Sequence, residues 1–284
     1  MKLNYLLSSI AKSFDPSAKI CPSCRSAKSD VVDRKWLVTS LRRCQQCRLL
    51  FRTPTTSDVE NKVLYQTAYT QGFTTDCPAD NELARLLQCN FRDSPKDYSV
   101  YISLVNAIRQ ADELRLFDFG CSWGYGSYQL RKAGFQVDSF DISQPRARYA
   151  HEKLGVTLID PASASPGSYD IFFSSHVIEH VPSVSAMIAT GMTLLKPGGL
   201  FVAFTPNASQ PRRENTPDEW HQMWGSVHPQ VLDLEFLETL ALTTPLLVAS
   251  SPYDLQQISG WPQSEKKILD LSGSELFFAF RKLH

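Results

Sequence analysis

From residue 114 onward, short apolar runs alternate with stretches whose apolar residues recur at helical spacing. The runs 114–119 (LRLFDF), 135–140 (FQVDSF), 155–159 (GVTLI), 169–174 (YDIFFS) and 199–204 (GLFVAF) predict five strands. Between them, helices are predicted to begin near Tyr125, Pro145 and Ser183. Strand–helix alternation at this interval predicts a parallel sheet with helices on both faces. Further on, 232–242 (LDLEFLETLAL) is amphipathic, while 245–251 (PLLVASS) and 275–282 (ELFFAFRK) predict two more strands. Upstream, 59–112 reads mostly as helix with breaks at Gly72, Pro78 and Pro95, and Tyr101, Leu104, Val105 and Ile108 share one stripe. The stretch 52–58 (RTPTTSD) predicts a linker. The pattern divides the chain into an N-terminal segment 1–56, a helical region 57–112 and an α/β domain 113–284.

Composition narrows the class. A chain of 284 residues with 43% hydrophobic residues has enough apolar side chains for a sizeable core. Basic and acidic residues number 29 each, unlike a chain selected to coat nucleic acid or acidic lipid. No apolar run approaches the ~20 residues that span a bilayer, so no membrane association is expected. The opening MKLNYLLSSIAKSF is broken by Asn4, Ser8 and Ser9 and lacks a cleavage site. It is read as mature sequence, and the cytoplasm is the expected location.

Four of the seven cysteines form two C-x-x-C pairs, Cys21 with Cys24 and Cys44 with Cys47, separated by nineteen residues. Each turn can aim two thiolates at one tetrahedral ion, and the interval suits a hairpin that returns the second pair. A structural zinc is expected, since four soft thiolates leave no open position for chemistry; thiol exchange needs only one such pair. Cys77, Cys89 and Cys121 are read as small apolar fillers. Residues 19–52 carry nine bases against Asp30 and Asp33, a surplus of seven. A zinc tetrathiolate brings this to about +5. That surplus either reflects the polar surface of a domain with little core or marks an anionic partner such as RNA or a nucleotide-linked substrate.

The first strand runs into Asp118-Phe-Gly120-Cys121-Ser122-Trp-Gly124-Tyr-Gly126 and then a helix. Glycines at a strand–helix junction allow a tight turn and close approach to a ligand. Asp141 lies twenty-one residues past Gly120, at the end of the second strand, where a carboxylate can accept both ribose hydroxyls of an adenosine cofactor. The spacing G-x3-G-x-G departs from the dinucleotide fingerprint. An acidic residue at 118 sits badly against a pyrophosphate and suits a positively charged cofactor with an α-amino group.

Asp118-x-Gly120-x-Ser122-x-Gly124, Asp141, the segment SYDIFFSSHVIEHV and the turn LLKPGG together resemble the class I S-adenosylmethionine-dependent methyltransferases. The resemblance covers roughly 110–284. It implies a seven-stranded Rossmann-like sheet of order 3-2-1-4-5-7-6 with the seventh strand antiparallel. It also implies that the backbone from Gly120 through Cys121 and Ser122 to Gly124 lines the methionine moiety and that Asp118 faces its amino group. Asp141, with Ile142 beside it, would hold the ribose. Asp160 and the backbone of Ala162 would meet the adenine, with Ser175 at the end of the fourth strand. A four-cysteine ribbon recurs ahead of such domains in sugar methyltransferases, and a related module precedes certain rRNA guanine methyltransferases.

Methyl transfer to a hydroxyl or acidic carbon needs a proton acceptor near the reacting atom, and histidine has a suitable pKa. The candidates, in order, are His176, His228 and His180; His180 can equally brace its loop, and His221 can be a solvated loop residue. Ubiquinone-type methyltransferases carry an acidic-x-x-Glu-His metal motif, and this chain has His176 in place of its leading acid. Tyr65, Tyr69 and Phe73 are candidates for a pocket wall or for core. The fourth strand lacks the Asn/Asp-Pro-Pro-aromatic loop of exocyclic-amine methylation, and no Pro-Cys pair stands where pyrimidine C5 methylation needs one. The expected acceptor is a small molecule, such as a sugar, nucleotide-sugar or glycan, at oxygen or carbon. The alternatives are RNA gripped by the basic ribbon and a non-catalytic binding protein on the same fold.

Overall fold

Two sheets share one hydrophobic interior in the computed structural model, which describes residues 9–35, 38–55, 57–63, 76–225, 227–242 and 244–283. Tyr65, Gly72, Tyr69 and Phe73 lie outside the described residues. In the smaller sheet, β1 (Ser29–Lys35) and β2 (Thr39–Cys44) form an antiparallel hairpin in which Ser29 faces Cys44. Strand β3 (Leu50–Thr53) pairs with β2. Arg52 and Thr53, expected in a linker, are buried in this strand. Then follow α1 (Asp58–Val63), α2 (Asp80–Gln88) and α3 (Ser99–Ile108), the last burying Leu104, Val105 and Ile108 as its stripe predicts. Cys77 and Cys89 are exposed, so of the three presumed fillers only Cys121 is buried.

The larger sheet contains β4 (Arg115–Phe119), β5 (Gln136–Phe140), β6 (Thr157–Leu158), β7 (Tyr169–Ser175), β8 (Leu195–Pro206), β10 (Leu246–Ser250), β11 (Lys267–Ile268) and β12 (Glu275–Arg281). Helices α4 (Tyr125–Lys132), α5 (Gln144–Leu154) and α6 (Val184–Leu194) alternate with its first strands. After β8 come α7 (Gln210–Asn215), α8 (Pro217–Met223), β9 (Gln230–Val231), α9 (Leu234–Leu240) and, beyond β10, α10 (Leu255–Ser259).

The strand order is β6-β5-β4-β7-β8-β12-β10-β11. This is the order 3-2-1-4-5-7-6 with an eighth, two-residue strand added at the far edge. Strand β12 runs antiparallel to both neighbours. Of the turn segment LLKPGG, Leu194 ends α6 and Leu195 begins β8. Leu195 pairs with Tyr169 and Leu200 with Ile171, so residues 196–199 bulge out between them.

Side chains alternate across this sheet into two clusters. Leu116, Ile171, Phe173 and Val202 point to one, and Phe117, Phe172, Phe201 and Phe278 to the other. Burial on both faces explains why the strands read as continuous apolar runs. Cys21, Cys44, Cys47, Leu49 and Phe51 of the small sheet belong to the second cluster, and β9 pairs with β3. The chain therefore returns from the α/β domain to complete the ribbon sheet. Among the described residues no helix is long and apolar enough to cross a membrane.

Candidate active site

A cavity of about 700 Å³ opens at the carboxyl ends of β4, β5 and β7, the place where open α/β sheets bind ligands. One half is built by the loop after β4. Gly120 has φ +90°, and a Cβ there would lie 2.3 Å from Val177 Cγ2, so only glycine fits this turn. The N–H groups of Gly120 and Cys121 donate to Phe140 O at 2.7 and 3.0 Å, tying the loop to β5. Asp141 then closes it: Oδ2 accepts from Ser122 N at 2.8 Å and Oδ1 from Ser143 N at 2.7 Å. Burial pushes the Asp141 carboxyl up, and these two N–H donors act against it. The hydroxyl of Ser122 is buried with no protein partner.

Of the predicted cofactor residues, Gly120, Ser122, Asp141, Ile142 and Ser175 line the cavity. Asp118 lies beneath the loop, 2% exposed, with Oδ2 accepting from Ser127 Oγ at 2.6 Å. Burial lifts its pKa to about 7, against the pull of the Ser127 hydroxyl. Cys121 is buried, and Gly124 at φ +86° caps α4; neither side faces the cavity. Asp160 is exposed, and its Oδ1 accepts from Ala162 N at 2.8 Å, so this pair closes its own turn outside the lining.

The other half gathers charged groups from three parts of the chain. His176, Glu179, His180 and His228 all line the cavity. His176 has φ +52° and sits between two carboxylates, its Nε2 3.0 Å from Glu275 Oε2 and its Nδ1 3.5 Å from Glu179 Oε1. Burial alone would lower its pKa, but the carboxylates outweigh it and raise the value to about 10. An imidazolium has no lone pair to offer, which counts against His176 as the base. Glu179 is 1% exposed, and Thr205 Oγ1 donates to its Oε2 at 3.1 Å. Burial favours its neutral form, yet the neighbouring imidazoles, His180 foremost, hold it down at about 2.

His180 and His228 are held differently. The Nδ1 of His180 lies 2.7 Å from Val227 O and that of His228 2.7 Å from Met223 O. A carbonyl only accepts, so each Nδ1 carries a proton, and in the neutral ring the lone pair is then on Nε2. The two rings are 4.7 Å apart. His221 is exposed, 3.2 Å from Asp33, while Trp224 is buried with its Nε1 donating to the same carboxylate at 2.8 Å.

Donor atoms of Glu179, His180 and His228 lie within 4.8 Å of one another. They form a candidate cation site in which His176 competes with a metal for Glu179. The His176 imidazolium, standing where the metal motif has its acid, already supplies positive charge at Glu179 Oε1.

Glu275, Tyr98 and Tyr101 were not anticipated in the site. Glu275 opens β12 and accepts from Tyr101 Oη at 2.9 Å and Tyr253 Oη at 2.7 Å besides facing His176. One acid heading an otherwise apolar strand was the available signal. Tyr98 and Tyr101 look like core at helical spacing, but both line the cavity.

The four ribbon cysteines are all reduced, with their Sγ atoms within 4.8 Å of one another. Cys21 and Cys47 are 3.6 Å apart, and Cys24 and Cys44 3.4 Å. Four Zn–S bonds of about 2.3 Å in a tetrahedron place sulfurs roughly 3.8 Å apart, so the donor set fits zinc. Arg25 and Arg48, each just after the second cysteine, take positive φ and donate their N–H to Cys21 O and Cys44 O. The two turns thus close in the same way.

A family model for a methyltransferase domain matches residues 79–244. The chain is 34% identical over 108 residues to a ubiquinone biosynthesis O-methyltransferase of Paramagnetospirillum magneticum, covering 35% of this chain and 43% of that one. It is 30% identical over 97 residues to the Ralstonia nicotianae protein of the same name, covering 30% and 40%. The match therefore spans less than half the length of these relatives. Among solved structures, an S-adenosylmethionine-dependent methyltransferase from Mesorhizobium loti aligns at 18% identity and TM-score 0.44, over 63% of this chain and 96% of that one. A phosphoethanolamine N-methyltransferase of Haemonchus contortus aligns at 17% identity and TM-score 0.49, over 83% and 63%. With more than half of its residues inside the family match, the chain belongs to the methyltransferase-domain family.

Proposed function

We propose that the protein transfers the methyl group of S-adenosylmethionine to a hydroxyl oxygen of a small molecule, with His228 as the proton acceptor. The observation that carries this reading is the pairing, across one cavity, of the Gly120–Asp141 loop with a histidine whose tautomer is set by a backbone carbonyl. The unpartnered Ser122 hydroxyl beside Asp141, and the approach that only glycine permits at 120, fit a nucleoside cofactor. When bound, that cofactor supplies the electrophilic methyl carbon. The chain's own part is alignment and proton transfer. As the oxygen–methyl bond forms and the sulfur–methyl bond breaks, the hydroxyl proton passes to His228 Nε2. The ionised Glu179 stabilises the resulting imidazolium. The similarity to O-methyltransferases supports oxygen over carbon. A sugar, nucleotide-sugar or glycan hydroxyl remains within this class.

The RNA alternative rests on the exposed ribbon bases Lys19, Arg25, Lys28 and Arg34, while other bases of the ribbon are engaged by the α/β domain. Arg43 pairs with Asp233 at 2.6 Å, Arg48 with Glu235 at 2.6 Å, and Lys35 donates to Trp224 O. Calorimetric titration with S-adenosylhomocysteine tests the reading. Binding is expected in the wild type and undiminished in His228→Ala, which should lose ~100-fold or more in turnover. No binding to the wild type would end the proposal.

A further inference from the structure

The first cysteine turn of the ribbon is docked on the α/β domain, while Gln45 and Gln46 of the second face solvent. Pro22 O and Ser23 O, the carbonyls between Cys21 and Cys24, accept from Ser183 Oγ at 3.0 Å and Ser185 Oγ at 2.8 Å. Ser183 caps α6 by accepting from Ala186 N, and it lines the cavity. Cys21, Cys44 and Cys47 share a cluster with Ile178, Val184 and Met187 around the same helix.

On its other side the ribbon holds the segment that carries His228. Strand β3 pairs Leu50 with Val231 and Phe51 with Gln230, and Arg52 N donates to Pro229 O at 2.7 Å. The buried Gln230 side chain donates to Val181 O and accepts from Val184 N at 3.4 Å, joining the two loops directly. The Arg43–Asp233 pair, 8% and 2% exposed, pins the start of α9. These contacts all land on 181–185 and 229–233, the walls around His180 and His228. The Gly120 loop is tied instead to β5.

We infer that the zinc-loaded ribbon is the template for the acceptor half of the cavity, with Ser185, Gln230 and Arg43 as positioning residues for His228, while the cofactor half is assembled without it. The naming of the two halves rests on the methyltransferase reading. A tetrathiolate metal site contributes folding free energy directly, so the order it confers disappears with the metal. Elements held only through such contacts open more readily than a sheet core.

The test strips the metal from the full chain with a chelator, then measures amide hydrogen exchange and S-adenosylhomocysteine affinity. Exchange across 178–187 and 227–235 should quicken about tenfold or more, while 115–142 stays protected and the affinity changes by less than about twofold. Ser185→Ala, with zinc retained and the Ser183 cap intact, should give a smaller increase confined to 181–187. Uniform acceleration that includes 115–142, with loss of ligand affinity, would overturn the inference, as would unchanged exchange in both segments. Failure of the metal-loaded chain to bind the ligand at all would instead refute the methyltransferase reading, leaving the exchange pattern to decide the ribbon's role.

Discussion

His176 Nε2 stands 3.0 Å from Glu275 Oε2, joining the loop after the fourth strand of the large sheet to the head of its last strand. The same carboxylate accepts hydrogen bonds from the Tyr101 and Tyr253 hydroxyls, so three donors converge on one acid behind His176. With the His176 pKa raised to about 10, the folded state binds its proton more tightly than the unfolded state does. The resulting stabilisation is complete below the unfolded pKa of about 6.5 and disappears as pH climbs towards 10. Side-chain exposure of 43% means that solvent screening reduces its size. Melting temperatures of wild type and Glu275→Gln should differ most at about pH 6 and draw together towards pH 10. A gap that stays constant across this range would show that His176 is not held as a cation.

Asp118 predicts a second pH dependence. Burial leaves its carboxyl half-protonated near pH 7 in the ligand-free protein, and a neutral acid attracts a ligand ammonium poorly. Affinity for S-adenosylhomocysteine should therefore rise between about pH 5.5 and 7.5, below the range where an α-amino group loses its proton. Asp118→Asn should flatten the profile and bind more weakly. An equally steep profile in the variant would assign the titration elsewhere.

These two acids also show what was readable before the fold was known. The strands, the glycine loop and the paired cysteines follow from local patterns, because period, turn chemistry and ligand spacing are properties of neighbouring residues, whereas the strand order came only with the family resemblance. Asp118 and Asp141 could be placed at strand ends, but which of them faces the cavity depends on Ser127, which reaches back from α4 to one of them. The charge state of His176 was hidden for the same reason: Glu275 lies ninety-nine residues away and meets it only through the sheet order. Ranking His176 as a base used its pKa in isolation. The docking of the ribbon was equally hidden, since a two-residue strand at Gln230–Val231 has no signature of its own.

Asp141 and Asp160 separate a binding acid from a turn acid. Asp141 lines the cavity, and each of its oxygens has capacity for one more donor beyond Ser122 and Ser143. Two charge-assisted hydrogen bonds at about 1.5–3 kcal/mol each imply that Asp141→Ala weakens cofactor binding by ~100-fold or more. Asp160→Ala should change affinity by less than about threefold, because its carboxylate serves Ala162 N outside the lining. Calorimetry on the two variants checks both figures, and equal losses would restore Asp160 to the site.

His176 also decides whether this centre takes a metal. Glu179 Oε1 is buried without a hydrogen bond, and the His180 and His228 donor atoms lie within 4.8 Å, an arrangement with affinity for positive charge. In the wild type that charge comes from the imidazolium at 3.5 Å, and a divalent ion entering beside it would meet repulsion. His176→Glu reverses the sign. The new carboxylate would face Glu179 and Glu275, and three like charges around the partly exposed position 176 repel one another until a cation enters. Manganese titration, with the ribbon zinc left in place, should therefore show binding to the variant at least about tenfold tighter than to the wild type. Adding His228→Ala should weaken it again if that ring turns its Nε2 towards the ion. Equal manganese affinity in wild type and His176→Glu would mean that the imidazolium does not guard the site, and the histidine-base mechanism would then have to yield to a metal-assisted one.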